Sequence, residues 1–573
     1  MSGLARQLQV ALRHNAIAWR DQDPDEVTRA ELQQLLDAAG DVSPELTAIE
    51  DTDTSERAIA WRDLHDRFSA RLAFGTAGLR GRLGAGPNRM NRVLVAQAAR
   101  GFADFLLARE ESPSIVIGYD ARNNSKRFAE DTAEIMQAAG VAATILPRQL
   151  PTPVLAFAVR RLAASAGVMV TASHNPKWDN GYKVYLGGAD DGSQIVAPVD
   201  AEIAAAIGAV AAGTTVPEIP RSGDYATADE SIVSEYVSAT AALLRGTPSD
   251  VRFVYTPLHG VGWETFRAVI AELGIAEPVV VAQQVEPDGA FPTLDFPNPE
   301  EPGALDLAYE TADAAGIDLV IAHDPDADRL AVAVKDAAGW RRFGGNDIGK
   351  ILGWRAAEQA KADGVHGTLA TSVVSAPALG RIAHEYGLDY AETPTGFKWI
   401  SRAPNILYGY EEALGYLVNP ETVHDKDGIS ASVAILELII GLQTEGRSLI
   451  DHDDAFAERF GTFVSTQVSV RFDDITEIPR VMAVLRSHTP SEVGGVEVLE
   501  TGDLSGDEVP IDLLRYQLAD GTRVMVRPSG TEPKIKVYVD ASSEEGSPAE
   551  RAADAESKAA RAGEALRITL TTA

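Results

Sequence analysis

The spacing of apolar residues changes several times along the chain, and each change marks a new segment. Residues 1–50 have helical spacing: QLQVALRHNAIAWR and DEVTRAELQQLLDAAG hold few β-branched residues and read as a peripheral N-terminal helical extension. From Phe74 onward short β-rich runs alternate with helical stretches. IVIGYD, VAATIL and AGVMVTAS read as buried strands, and VLVAQAARGFADFLLARE, SKRFAEDTAEIMQAAG and PVLAFAVRRLAA as the helices between them. Strands and helices alternating at this spacing imply crossover connections and a largely parallel or mixed sheet.

The rhythm then repeats. VRFVYTP, WETFRAVIAELGI, PVVVA, LDLAYETADAAGI and DLVIAH make a second unit; NDIGKILGWRAAEQA, GTLATSVVS, APALGRIAHEYGL, ILYGYEEALGY and ISASVAILELIIGLQ make a third. The last stretch differs. TFVSTQVSVRF, IPRVMAVLRSH, LLRYQLAD, TRVMVRPSG and IKVYVDAS mix strands and a helix without crossover rhythm, and ERAADAESKAARAGEAL closes the chain as a helix. The expected division is an extension over 1–50, α/β domains over 51–216, 217–340 and 341–460, and a smaller α+β domain over 461–573.

Composition narrows the function. The 573 residues carry 84 acidic and 51 basic side chains, a formal net charge of −33, so the surface repels nucleic-acid backbones and no basic stripe overcomes that. An anionic small substrate must therefore be captured by arginines and lysines concentrated locally. The absence of cysteine excludes disulfides, thiolate catalysis and cysteine-ligated metals. No run reaches the roughly 18 apolar residues of a membrane span; the longest candidate, Ala431 to Leu442, contains Glu437. The N-terminus lacks the apolar core of a secretory signal. The expectation is a cytoplasmic protein that binds neither nucleic acid nor membrane.

Three segments carry chemistry. In GVMVTASHNPKWDNGYKVY a β run delivers Ser173 into a polar turn, followed by His174, Asn175 and Pro176, with Lys183 ten residues on. A serine at a strand end can point its hydroxyl into a cleft; alone, such a serine is as often a loop cap. In DLVIAHDPDADRLAVAV a strand ends in Asp324, Asp326 and Asp328, and alternate positions of an extended chain face one side. Carboxylates so placed repel one another unless a hard divalent cation neutralises them. An EF-hand is a poor alternative, because Arg329 and Lys335 stand where that loop needs glycine and glutamate. In TRVMVRPSGTEPKIKVYV the donors Arg527, Ser529, Gly530, Thr531 and Lys534 lie between two strands and compose a cup for a tetrahedral oxyanion. GGNDIGKI is not a nucleotide loop, since Ile351 occupies the metal-binding Ser/Thr position.

Together these segments resemble the α-D-phosphohexomutase family, most closely its phosphoglucomutase and phosphopentomutase branch. The likeness rests on FGTAGLRG, GYDAR, TASHNP, NGYKVY, DPDADR, TPTGFKW, GYEEALGY, DKDG and RPSGTEPK, in the family's order. It implies four domains around a central cleft, three similar α/β and the last smaller and α+β. It implies that Ser173 is a phosphoserine that donates and regains a phosphoryl group, and that Asp324, Asp326, Asp328 and an oxygen of that phosphoserine hold Mg²⁺. Arg80, His174, Lys183 and Arg329 then line the reaction centre. Thr395, Gly396, Lys398, Glu411, Glu412 and Lys426 fall in substrate-binding segments, and Arg527, Ser529, Gly530, Thr531 and Lys534 in the site for the non-transferred phosphate.

The activity so implied is interconversion of glucose 1-phosphate and glucose 6-phosphate through a bisphosphorylated sugar, with glucose 1,6-bisphosphate as primer. The alternatives are a phosphomannomutase, a phosphopentomutase, a glucose 1,6-bisphosphate synthase, or a non-catalytic sugar-phosphate binder. A monomer is favoured over a dimer. TPTGFKWI resembles the glucose-type loop more than the mannomutase version, with Phe397 expected to offer an apolar ring there. Relatives commonly carry serine where this chain has Ala413, and the EEA form resembles the branch that includes phosphopentomutases and bisphosphate-making relatives, unless Ala413 serves only the packing of the loop.

Overall fold

The computed structural model describes residues 6–42, 53–75, 78–246, 250–472, 477–507, 509–528 and 534–572. Their strands form four sheets that follow one another along the chain. The first comprises β1 (Leu79–Arg82), β2 (Ser114–Tyr119), β3 (Ala142–Ile145), β4 (Ala166–Val170), β5 (Asp179–Leu186), β6 (Ser193–Gln194) and β7 (Ala226–Thr227), in the order β1-β5-β4-β2-β3-β7 with β6 beside β5. β2, β3 and β4 are parallel and β5 is antiparallel to β4. β4 is buried at every position, which is why AGVMV is a continuous apolar run and not an alternating one.

The second sheet, β12-β11-β10-β8-β9, uses β8 (Val254–Thr256), β9 (Val279–Val280), β10 (Leu319–His323), β11 (Leu330–Asp336) and β12 (Gly339–Arg342). The third, β14-β13-β15-β16, uses β13 (Thr368–Ser372), β14 (Asp389–Thr393), β15 (Ile406–Glu411) and β16 (Gly415–Leu417). Both have a parallel centre flanked by an antiparallel strand. The fourth is antiparallel: β17 (Thr462–Arg471), β22 (Lys534–Ser543), β21 (Arg523–Pro528), β20 (Leu514–Leu518), β19 (Val496–Asp503) and β18 (Glu492–Val493). One face of that sheet is covered by the helices Glu477–Ser487 and Pro548–Thr572, through Val481, Met482, Leu485, Ala559, Ala562 and Leu566.

The described chain divides into two compact units, Met1–Trp340 with Glu421–Val433, and Arg341–Pro420 with Ala434–Ala573. Three sequence expectations change. β7 pairs with β3 through Thr144–Ala226 and Ile145–Thr227, so the first sheet runs past residue 216. Residues 421–433, expected within 341–460, belong to the first unit. The N-terminal helices Arg6–Gln22 and Glu26–Ala39 are not peripheral. Leu12, Trp19, Leu32 and Leu36 share a core with Trp61 and with Val93, Ala96 and Ala99 of the helix Arg92–Arg109. The opposite face of that helix, with Leu94, Ala98 and Phe102, packs on Ile115, Ile117 and Val168 of the first sheet. A helix apolar all round needs cover on both sides, and the N-terminal helices supply it. Among the described residues no single helix is long and apolar enough to cross a membrane.

This arrangement predicts that Leu36→Ala, at a side chain only 2% exposed, lowers the unfolding free energy of the full-length protein by about 2–5 kcal/mol in chemical denaturation. A loss of about 0.5 kcal/mol or less, typical of a surface position, would return these helices to a peripheral role.

Candidate active site

In the first unit β4 ends at Val170, and a turn carries Ser173 before β5 begins at Asp179. Ser173 is buried and has φ +51, a left-handed conformation that a β-carbon disfavours. Its N–H donates to Thr171 Oγ1 at 2.8 Å, and its Oγ donates to Asp324 Oδ2 at 2.7 Å. His174 Nδ1 lies 3.3 Å from the same Oγ, and its ring stacks on Phe296. Burial, reinforced by Arg329 and Arg80, holds His174 well below the ordinary imidazole range, so it is neutral at neutral pH.

Asp324, Asp326 and Asp328 are fully buried, and their carboxylate oxygens lie within 4.8 Å of one another. The expected convergence is present, but its cause is not alternation along an extended strand. The chain turns: Ala327 has φ +53, its N–H donates to Asp324 O at 2.8 Å, and Arg329 N–H donates to Asp324 Oδ1 at 3.0 Å. Neighbouring backbone presses on this turn from two sides. A β-carbon on Gly260 would sit 2.3 Å from Pro325 Cα, and one on Gly428 would sit 2.3 Å from Arg329 O.

Cations balance the cluster. Lys183 Nζ donates to Asp326 Oδ2 and Asp328 Oδ2, each at 2.6 Å, and Lys426 Nζ lies 2.9 Å from Asp328 Oδ2. Arg329 stands at 3.8–3.9 Å from Asp328 and Asp324. Burial acts to raise all three carboxyls, but Lys183 and Thr152 hold Asp326 below the ordinary carboxylate range. For Asp328 the neighbouring Lys183, Lys426 and Arg329 more than offset burial and hold the group ionised. For Asp324 burial and the charges of Asp326 and Asp328 prevail and push it well up. Asp326 Oδ1 and Asp328 Oδ1 accept no hydrogen bond. A buried set of carboxylates with orphaned oxygens matches the oxygen-donor preference of a hard divalent cation such as Mg²⁺. Arg80, on β1, completes the group by donating to Asn175 Oδ1 at 3.0 Å.

Sequence reasoning missed several residues here. Thr152 donates through Oγ1 to Asp326 Oδ2 at 2.5 Å and through its N–H to Asp326 O at 3.0 Å. Asp425 accepts from Tyr185 at 2.8 Å and from the Lys426 N–H at 2.8 Å, which fixes the base of Lys426. Only the DKDG match pointed near Asp425, and nothing in the sequence pointed to Thr152. Lys426 itself, expected on substrate, here lies on Asp328 of the carboxylate cluster.

The second unit holds the other expected residues. Glu411 ends β15, and Glu412 Oε2 accepts from Ser375 at 3.0 Å and Ser372 at 3.2 Å. The Glu412 N–H donates back to Ser375 Oγ at 3.2 Å, so two serines orient this carboxylate. Burial, then the charge of Glu411, pushes Glu412 up to about 7. Thr395 and Gly396, the latter at φ +104, lead into the short helix Phe397–Ile400 that carries Lys398. Phe397 is not a ring offered to substrate, because it packs with Ala370, Ile400, Ala403 and Leu417 in the core behind the third sheet. Arg527 and Lys534 are half-buried on β21 and β22, on either side of residues 529–533. Ser529, Gly530 and Thr531 lie outside the described residues.

Family models described as phosphoglucomutase/phosphomannomutase α/β/α domains I, II and III and C-terminal domain match residues 71–213, 234–339, 344–459 and 468–557. A Haemophilus influenzae protein named "Probable phosphomannomutase" is 51% identical over 463 residues, spanning 81% of this chain and 95% of its own. The Saccharomyces cerevisiae phosphoribomutase is 35% identical over 562 residues, spanning 85% of this chain and 88% of its own. A crystal structure of a phosphoglucomutase/phosphomannomutase family protein from Burkholderia thailandensis has the same fold, with a TM-score of 0.66 at 21% identity over 86% of this chain and 98% of that one. Four domain models matched in order over most of the length, three α/β and one C-terminal, make this chain a member of the α-D-phosphohexomutase family of phosphosugar mutases.

Proposed function

We propose that the chain interconverts glucose 1-phosphate and glucose 6-phosphate through a phosphorylated Ser173 and a bisphosphorylated sugar, with glucose 1,6-bisphosphate as primer. The observation that carries this reading is the Ser173 hydroxyl set 2.7 Å from Asp324, within a cluster of three buried carboxylates. Asp324, Asp326 and Asp328 would hold Mg²⁺, which when bound withdraws charge from a transferring phosphoryl group. With the phosphoryl group on Ser173, a sugar hydroxyl attacks phosphorus, the Ser173 Oγ–P bond breaks, and the proton lost by the sugar hydroxyl passes through the groups of the site to the departing Oγ. The bisphosphate then reorients, and its other phosphoryl group returns to Ser173. Neutral His174 beside Oγ can hold a proton there, while Arg80 and Arg329 supply positive charge. Arg527 and Lys534 belong to the segment 527–534 proposed to anchor the phosphate that is not reacting.

Pentose 1-phosphates are the second reading. The family resemblance at Ala413 favours it, and one relative over most of the chain is named phosphoribomutase.

Intact-mass analysis of the purified protein should show a fraction about one phosphate (~80 Da) heavier. Ser173→Ala should lose that mass and nearly all activity while remaining folded, and retained mutase activity in this variant would overturn the mechanism.

Glu412 gives a pH dependence. Below about 7 its carboxyl is largely protonated; above, it is ionised and accepts from sugar hydroxyls. The KM for the sugar phosphate should therefore fall as the pH rises through that value, and Glu412→Gln should flatten the difference between the two sides. A wild-type profile identical to that of Glu412→Gln would remove Glu412 from sugar binding.

Specificity constants measured on glucose, mannose and ribose 1-phosphates, with Mg²⁺ and bisphosphate primer, should rank glucose first. A higher value for ribose or mannose would overturn the sugar assignment and leave the chemistry in place.

A further inference from the structure

The GYDAR segment, residues 118–122, enters none of the chemistry above, yet its last residue touches the Ser173 turn at four points. Arg122 follows β2 and is 3% exposed. All four of its hydrogen bonds from Nη1 and Nη2 go to backbone carbonyls. Nη2 donates to Ser173 O and to Asn175 O, each at 2.6 Å. Nη1 donates to Pro176 O and to Asp179 O, each at 2.9 Å. The acceptors span the whole connection from Ser173 to the start of β5.

The other end of Ser173 is held from the same segment. Its N–H donates to Thr171 Oγ1, and Thr171 Oγ1 in turn donates to Asp120 Oδ2 at 2.6 Å. Asp120 is itself fixed by Ser125 Oγ at 2.6 Å and by the Arg122 N–H at 2.9 Å. Both peptide groups flanking the Ser173 Cα thus lead back to Asp120 and Arg122. The guanidinium is further seated against the Phe291 ring, 5.0 Å from its centroid. Ser173 needs this hold, since φ +51 is a conformation a serine leaves readily when unrestrained. A planar fork of N–H donors can bind four carbonyls in one arc; an ammonium group on a flexible stem cannot.

We propose that Arg122, backed by Asp120, is a positioning residue that sets the direction of the Ser173 Oγ for phosphoryl transfer. It does so without touching the sugar. The proposal rests on the reading that Ser173 carries the phosphoryl group. Its consequence is a loss in the transfer step and not in substrate binding, because misplacing a reacting atom by about 1 Å costs on the order of 10²-fold in rate.

The test uses the full-length chain with Arg122→Lys. Three quantities are measured: kcat and KM for the sugar 1-phosphate, the rate at which glucose 1,6-bisphosphate phosphorylates the protein by intact mass, and the thermal midpoint. The expected result is a fall of about 10²-fold in both kcat and phosphorylation rate, with KM within about threefold, at a temperature well below the midpoint. A kcat and phosphorylation rate within about threefold of wild type, or a loss carried by KM, would overturn the proposal. Should Arg122→Lys fail to fold, Thr171→Val decides: it removes the acceptor for the Ser173 N–H, and the same kcat-weighted loss is expected. A wild-type kcat in Thr171→Val would count against the proposal. A wild-type protein never phosphorylated on Ser173 would defeat the underlying mechanism, whereas wild-type-rate phosphorylation of Arg122→Lys defeats only the positioning role.

Discussion

Three carboxylates buried within 4.8 Å of one another repel strongly in a medium that screens poorly, and much of the first unit is organised around that repulsion. Lys183 comes from β5 of the first sheet, Lys426 from the 421–433 segment, and Arg329 from the turn itself. Each is drawn from a different stretch of chain, so the cluster can exist only when those stretches are folded together. Removing any one cation would leave charge without compensation, which costs far more in the interior than at the surface. The same contacts bind the two sheets of this unit: β5 belongs to the first and the aspartates follow β10 of the second.

Ser173 extends this dependence to the backbone. Its hydroxyl is committed to Asp324, across 151 residues of sequence, while its peptide groups are tied to Thr171 and Arg122. A left-handed serine persists because several hydrogen bonds over-determine it. Local strain of this kind is typical of sites where one atom must be aimed. Here the Ser173 hydroxyl is held on Asp324 Oδ2, one carboxylate of the buried cluster.

The second unit shows a comparable economy. Glu412 is oriented by Ser375, whose carbonyl accepts from Arg523 Nη2 at 2.5 Å. Arg523 also pairs with Asp540 at 2.8 Å and with Glu392. The Glu412 carboxylate is therefore linked to β21, the strand that carries Arg527 four residues further on. Within this unit the third and fourth sheets are joined by a buried charge network and not by apolar contact alone.

The sequence by itself determined the element order, the alternation of strand and helix, and which segments were candidates for the site. Period, turn residues and short motifs are local, and they are legible without the fold. Ser173, Asp324, Asp326 and Asp328 were legible because strand-end polar clusters interrupt long apolar runs. What only the tertiary structure decided was partnership across distance. It put Thr152 on Asp326 and Lys426 on Asp328, took Phe397 into a core, carried the first sheet on to β7, and buried the N-terminal helices against Val93, Ala96 and Ala99. An apolar or charged residue announces that it needs a partner, but its own neighbourhood in the sequence does not say which. That choice is made by packing, where burial removes water and leaves each charge and each apolar face with the one neighbour the fold brings to it.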